Sequence, residues 1–213
     1  PAVLIANPEF EISTAVGGPF TSTLNINSNG SGNITTTTIY VRMSENTIPG
    51  TYTGKVIRFE NISAGFLFNK GIATSTVNVR NIDVINIEIP DKVYNGNTTA
   101  IINDNGTPIA LDNVRTVDLA LVTLVTTGAT AVFDDPNVAN GINITISGYS
   151  ISGAASAYYS LNQPSGYFAN ITPKPLTISG LSTSSRDYDG TTAFTISGTA
   201  SLNGVELVDA GNV

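Results

Sequence analysis

Sixteen acidic side chains, no histidine and no cysteine set the limits on the chemistry of this 213-residue sequence. Asp134 and Asp135 share a loop with Pro136 and Asn137, and Asp187 and Asp189 flank Tyr188. Clustered carboxylate and amide oxygens of this kind suit calcium, which takes about six to eight oxygen ligands. A junction between two modules can gather such a set from both sides. Asp and Asn also favour turns with no metal at all, because their side chains hydrogen-bond the adjacent backbone. Calcium is therefore a competing reading of Asp134, Asp135, Asp187 and Asp189, and no other cofactor is expected.

Catalysis has little to work with. Without histidine or cysteine, Ser-His-Asp and Cys-His nucleophiles and the usual zinc sites cannot be assembled. No glycine fingerprint for phosphates or dinucleotides is present. Glycoside hydrolysis needs two carboxylates facing one another. Adjacent Asp134 and Asp135 point to opposite faces of a strand and cannot supply that pair. No catalytic residue is expected, and the chain does not read as an enzyme. Lys55, Lys70, Lys92 and Lys174 are candidates for an isopeptide bond to an asparagine beside a buried acid. The sequence selects no triad among them. Tyr158, Tyr159, Tyr167 and Phe168 could form an aromatic platform for a sugar, although strand alternation sends half of such residues inward.

The bulk composition narrows the partners. Only 12% of residues are charged, about half the usual share of roughly 25%. Thr, Ser, Asn and Gly take their place, and threonine's branched Cβ favours a pleated surface. Net charge is −7, and the nine Lys and Arg residues are scattered. Nucleic acid needs clustered cations, so it is a poor partner. No run approaches the roughly 18 apolar residues of a membrane span, so membrane insertion is not expected. The absence of cysteine rules out disulfide staples and fits a secreted bacterial β protein with a larger core. With Pro1 at its start and an abrupt end, the sequence reads as an excised or processed fragment.

Elements that would carry these residues are strands. Alternating or β-branched runs recur at short intervals between Gly, Asn, Pro and Asp breakers, which predicts an all-β fold of sandwich modules. Strands are predicted near residues 2–6, 10–14, 21–27, 34–43, 51–60 and 72–79, enough for an immunoglobulin-like sandwich. A second set is predicted near 84–89, 117–126, 131–133, 142–147, 158–161 and 166–171. Residues 118–125 are apolar enough for a short helix, but Val and Thr favour a strand there.

An internal repeat organises the second half. Val93-Tyr94-Asn95-Gly96-Asn97-Thr98-Thr99-Ala100 returns as Asp187-Tyr188-Asp189-Gly190-Thr191-Thr192-Ala193. Ala110-Leu111-Asp112-Asn113-Val114 is echoed by Ser201-Leu202-Asn203-Gly204-Val205. Asn-Gly and Asp-Gly supply the positive φ that tight turns require. A tyrosine before such a turn can cover the end of a sandwich while its hydroxyl reaches a backbone group. The expected modules are 1–82, 83–175 and the start of a second repeat at 176–213, arranged end to end.

The combination of Tyr-Asn/Asp-Gly with Ile171-Thr172-Pro173-Lys174-Pro175-Leu176-Thr177 resembles the YDG/MBG repeat modules of very large bacterial surface adhesins. The stretch from Ala131-Val132-Phe133-Asp134-Asp135 to Gly148-Tyr149-Ser150-Ile151-Ser152-Gly153-Ala154 is similar to the middle of that family. Tyr158-Tyr159-Ser160-Leu161 stands where the family has Asn-Tyr-x-Leu. A spacing of about 94 residues between the copies is longer than the resemblance implies, with an insertion expected within 103–127. Residues 38–42 and 50–54 are similar, more loosely, to sandwich modules of secreted Bacteroidota proteins, which implies type IX export. The resemblance implies a secreted, extracellular stalk or adhesion module with no catalytic residue to transfer. Its partners would be neighbouring modules of the same polypeptide, with surface glycans or the export machinery as further candidates. The competing functions are a carbohydrate- or surface-binding module and an accessory region of a large secreted hydrolase.

Overall fold

The computed structural model describes residues 2–104 and 106–212, and divides into two compact units, Pro1–Arg80 and Asn81–Val213. The fold is all-β. The helical pieces among the described residues are three-residue 3-10 turns, and none is long and apolar enough to cross a membrane.

In the first unit the breakers cut the chain into β1 (Ala2–Ala6), β2 (Phe10–Ser13), β3 (Thr23–Ile26), β4 (Tyr40–Met43), β5 (Gly50–Tyr52), β6 (Val56–Asn61), β7 (Phe66–Gly71) and β8 (Ser75–Val77). Strands β3-β1-β6-β7 form one sheet, and β2 pairs with β4 and β5 with β8. Leu4 lies opposite Leu24 on one side and Phe59 on the other. Leu4 and Ala6 of β1 meet Phe10 and Ile12 of β2 and Ile57 of β6 in one buried cluster. That cluster draws on two sheets, so alternation along each strand decides which side chains leave water.

Three sequence expectations change here. The single strand predicted at 51–60 is split, because Gly54 takes φ 65° between β5 and β6. Of the strand predicted at 34–43, only β4 pairs, against β2. Strand β7 was not expected. Its Phe66-Leu67-Phe68 run has no alternation, and it becomes a strand by pairing with β6 across a turn. In that turn Asn61 caps the 3-10 turn Ile62–Ala64, and Gly65 adopts φ 63°.

The second unit continues with β9 (Arg80–Ile85), β10 (Lys92–Val93), β11 (Thr99–Ala100), β12 (Ala110–Asp112), β13 (Thr123–Val125), β14 (Thr130–Phe133), β15 (Ala139–Ser147), β16 (Ser150–Ser152), β17 (Tyr159–Asn162), β18 (Tyr167–Thr172), β19 (Thr177–Thr183) and β20 (Ile196–Asn203). The module border expected at 82/83 falls inside β9. A five-stranded sheet runs β10-β18-β15-β14-β11, and a three-stranded one runs β12-β9-β17. In β15, Ile142, Ile144 and Ile146 are buried while the residues between them face water. They pack with Phe133 of β14, Ala169 and Ile171 of β18, and Val84 of β9. Ile82, two residues before Val84, joins Val122, Ala155 and Tyr159 in a second cluster.

The strand predicted at 84–89 stops at Ile85 because Asn86 turns into the left-handed region, φ 65°. The Asn86 side-chain amide donates to Pro108 O at 2.9 Å, which compensates for that turn. The strand predicted at 117–126 is mostly not one. Thr116–Asp118 forms a 3-10 turn, and only β13 survives.

Candidate functional site

The repeated turn is built on a cation that the sequence motif did not single out. In the first copy Lys92 Nζ donates to Asn95 Oδ1 at 2.9 Å, Asn97 O at 2.5 Å and Thr99 O at 3.2 Å. In the second, Arg186 occupies the same place, bonding Asp189 Oδ1 and Thr191 O. Gly96 and Gly190 hold φ 71° and 75°. A cation two residues before the tyrosine therefore pins the residue after it and the carbonyl beyond the glycine. The signal was present in the sequence as Lys/Arg-x-Tyr-Asn/Asp-Gly.

The copies match upstream and downstream as well. Val84 of β9 lies opposite Leu111 of β12, and Ile178 of β19 opposite Leu202 of β20. Two positions beyond Val84 and Ile178 comes a left-handed residue, Asn86 just past β9 in one copy and Gly180, φ 82°, at a register shift within β19 in the other. The second copy is three residues shorter between turn and returning strand (Tyr94 to Leu111 against Tyr188 to Leu202).

Tyr94 and Tyr188 differ in surroundings. Tyr94 is half-buried and packs against the main core. Its amide donates to Thr172 O at 2.9 Å, continuing the parallel pairing of β10 with β18. Hydrogen bonding to the Asp209 side chain, then burial and the charges of Asp209 and Glu206, raises the pKa of its hydroxyl. Tyr188 is 96% exposed.

A second structure of note is the corner formed by Asp118. Tyr159 donates its hydroxyl to Asp118 Oδ2 at 2.6 Å and accepts from the Arg115 amide at 3.2 Å. Burial, then the Asp118 hydrogen bond, pushes the Tyr159 hydroxyl above its ordinary pKa. Asp118 carries no signal in one copy alone. Its signal is its recurrence as Asp209 in the 3-10 turn Leu207–Asp209, which follows β20 as Thr116–Asp118 follows β12.

The other expected site residues are dispersed in ordinary turn chemistry. Asp134 accepts from Asn143 Nδ2 at 2.8 Å and Thr145 Oγ1 at 3.2 Å. Asp135 Oδ1 accepts from the amide and side chain of Asn137 at 2.8 and 2.7 Å. Asp189 holds Arg186 and Thr191, whose hydrogen bonds lower its pKa, and Asp187 is exposed beside it. Among the described residues, no group of three or more acidic side chains converges as a metal site. The aromatic platform does not form: Tyr159 is 7% exposed and Tyr158 and Tyr167 pack against buried clusters, leaving Phe168 outside. Of the four lysines, Lys55 pairs with Glu9 at 2.6 Å and Lys174 with Glu206 at 2.5 Å. Burial lowers the pKa of Lys92, and Lys70 is exposed on β7.

Two stretches with a common clamped turn, a common strand register and a common acidic 3-10 turn define a repeated β module. The YDG domain matches residues 78–166 and again residues 172–212, so the chain belongs to the YDG domain family. No curated protein and no solved structure matches this chain.

Proposed function

We propose that this chain is a non-catalytic structural stretch of a large secreted cell-surface adhesin or filament. Its Ig-like sandwich modules would follow one another and set the distance between a binding tip and the cell. The observation that carries this reading is the tandem YDG repeat itself, with β18 of one copy joined to β19 of the next by residues 173–176. Two prolines in so short a link limit its freedom. Repeats whose contacts are local and with neighbours lend themselves to extended assemblies. Burial of Tyr159 takes it out of the aromatic platform that the competing sugar-binding reading would use.

Labelling intact cells of the source organism with an antibody against this chain tests the reading. Surface labelling without permeabilisation is expected, together with no specific hits for the folded chain on a glycan array. Labelling that requires permeabilised cells would overturn the surface role. Strong glycan hits abolished by a single side-chain substitution would replace the spacer with a binding module.

A further inference from the structure

Parallel pairing of β10 with β18 places the Tyr94 turn at the end where its own repeat finishes. Val93 is in register with Thr172, the last residue of β18, and the Tyr94 amide is bonded to that same residue. The chain then runs through Pro173 and Lys174 into the next copy. There the 3-10 turn Leu207–Asp209 comes back against the turn it has just left. A Cβ on Gly96 would lie 2.6 Å from Val208 Cγ2, so only a glycine lets Val208 approach so closely. Lys174, in the link, pairs with Glu206 at 2.5 Å. The Tyr94 hydroxyl faces the Asp209 side chain.

We propose that the Tyr-Asn/Asp-Gly turn is the docking element between consecutive repeats, seating the Val-Asp corner of the next copy against its glycine and tyrosine. The partner is a second copy of the same repeat. Both halves of the contact recur in this chain. The Tyr188–Gly190 turn has the same clamp and the same left-handed glycine, with Tyr188 96% exposed. The Val117-Asp118 corner matches Val208-Asp209, and Val117 is 65% exposed. Asp118 Oδ2 accepts from the Tyr159 hydroxyl of its own repeat. A carboxylate has a second oxygen, so one corner can serve both its own tyrosine and that of a neighbouring repeat. The contact is heterologous, head to tail, and such contacts propagate along an array instead of closing it.

The inference deepens the spacer reading, since a docked joint holds successive repeats in register. The test uses the whole 213-residue chain and compares Val208→Asp with Leu207→Asp. Both residues are exposed, at 64% and 93%, in the same 3-10 turn, but only Val208 meets Gly96. Hydrogen exchange of the β19–β20 amides and backbone relaxation of residues 176–212 are the readouts. Val208→Asp is expected to abolish exchange protection there and to let 176–212 tumble faster than 81–172, with Leu207→Asp unchanged from wild type. Tyr94→Phe and Asp209→Asn should weaken the coupling in the same direction. Ultraviolet titration should find a tyrosine ionising above the ordinary range that returns toward it in Asp209→Asn. A Val208→Asp variant that behaves as wild type, or two aspartate variants that melt the segment equally, overturns the joint. Failure of the joint leaves a spacer of flexibly linked repeats, whereas failure of surface labelling removes the spacer and leaves the joint.

Discussion

The turn at Lys92–Asn97 and the turn at Arg186–Thr191 have one backbone and two environments. In both, a cation holds an Asx side chain and a carbonyl, around a glycine near φ 70–75°. In the first, Tyr94 leans on a core and Lys92 lies 5.2 Å from the centroid of the Phe133 ring. In the second, every residue of β19 and β20 is exposed and Tyr188 stands in water. The turn is thus a local device whose geometry does not need the module's core. Burial of the tyrosine does need it. Shape is fixed by neighbours in sequence, and environment by strands far along the chain.

The largest expected effect comes from removing the core that separates the two environments. Phe133 is 1% exposed and touches both the sheet and the clamp. Phe133→Ala should destabilise the second unit by about 3–5 kcal/mol in urea denaturation. Exchange at Lys92–Asn97 should rise and, through the joint at Gly96, so should that of β19–β20, while the Thr191 amide, held by Asp189 within its own turn, stays as it was. If both turns loosen together, they are not independent devices.

A smaller effect separates the two glycines. An alanine in the left-handed region costs about 1–2 kcal/mol. Gly190→Ala should meet that strain alone, since its Cβ would find only the Tyr188 hydroxyl, 4.0 Å away. Gly96→Ala adds the collision with Val208, so it should cost more, and Val208→Ala should recover the excess. Native-state hydrogen exchange of residues 81–212 measures both. Equal costs at the two positions would mean that Val208 does not press on Gly96.

The smallest effect is with pH and follows from a one-residue difference. Asp189 has its pKa lowered, first by the Arg186 hydrogen bond and then by those of Thr191. A depressed carboxylate contributes fully above its unfolded pKa of about 3.9 and loses that contribution as pH falls through the lower folded value. Asn95 does not titrate. Acidification below about pH 4 should therefore shift the amide resonance of Thr191 and leave that of Asn97 in place. Parallel movement of both would show that something other than Asp189 governs the second turn.

Much of this was legible from residue order, and the illegible parts share a cause. The strand at Ala2–Ala6 follows from an apolar run with β-branched Val3 and Ile5, and the Ile142-Ile144-Ile146 face of β15 from alternation, both of them local preferences. The repeat and its turn glycines were visible for the same reason, since positive φ is a local demand. Strand β7 and the loss of the strand at 117–126 were not visible. Phe66-Leu67-Phe68 has no period of its own and takes its form from β6. Val117 and Leu119 read as strand residues but stay exposed around an aspartate that Tyr159 bonds from 41 positions away.

The sequence by itself determined an all-β chain, the tandem copies, and the turn chemistry at Tyr94 and Tyr188, because propensity, alternation and left-handed glycines act over a few residues. Only the tertiary structure decided where those turns lie. Parallel pairing of β10 with β18 is a contact across some 80 residues, and it alone brings the first turn to the exit of its repeat. The partners of Asp118 and Gly96, Tyr159 and Val208, are likewise far along the chain, and no local preference specifies them.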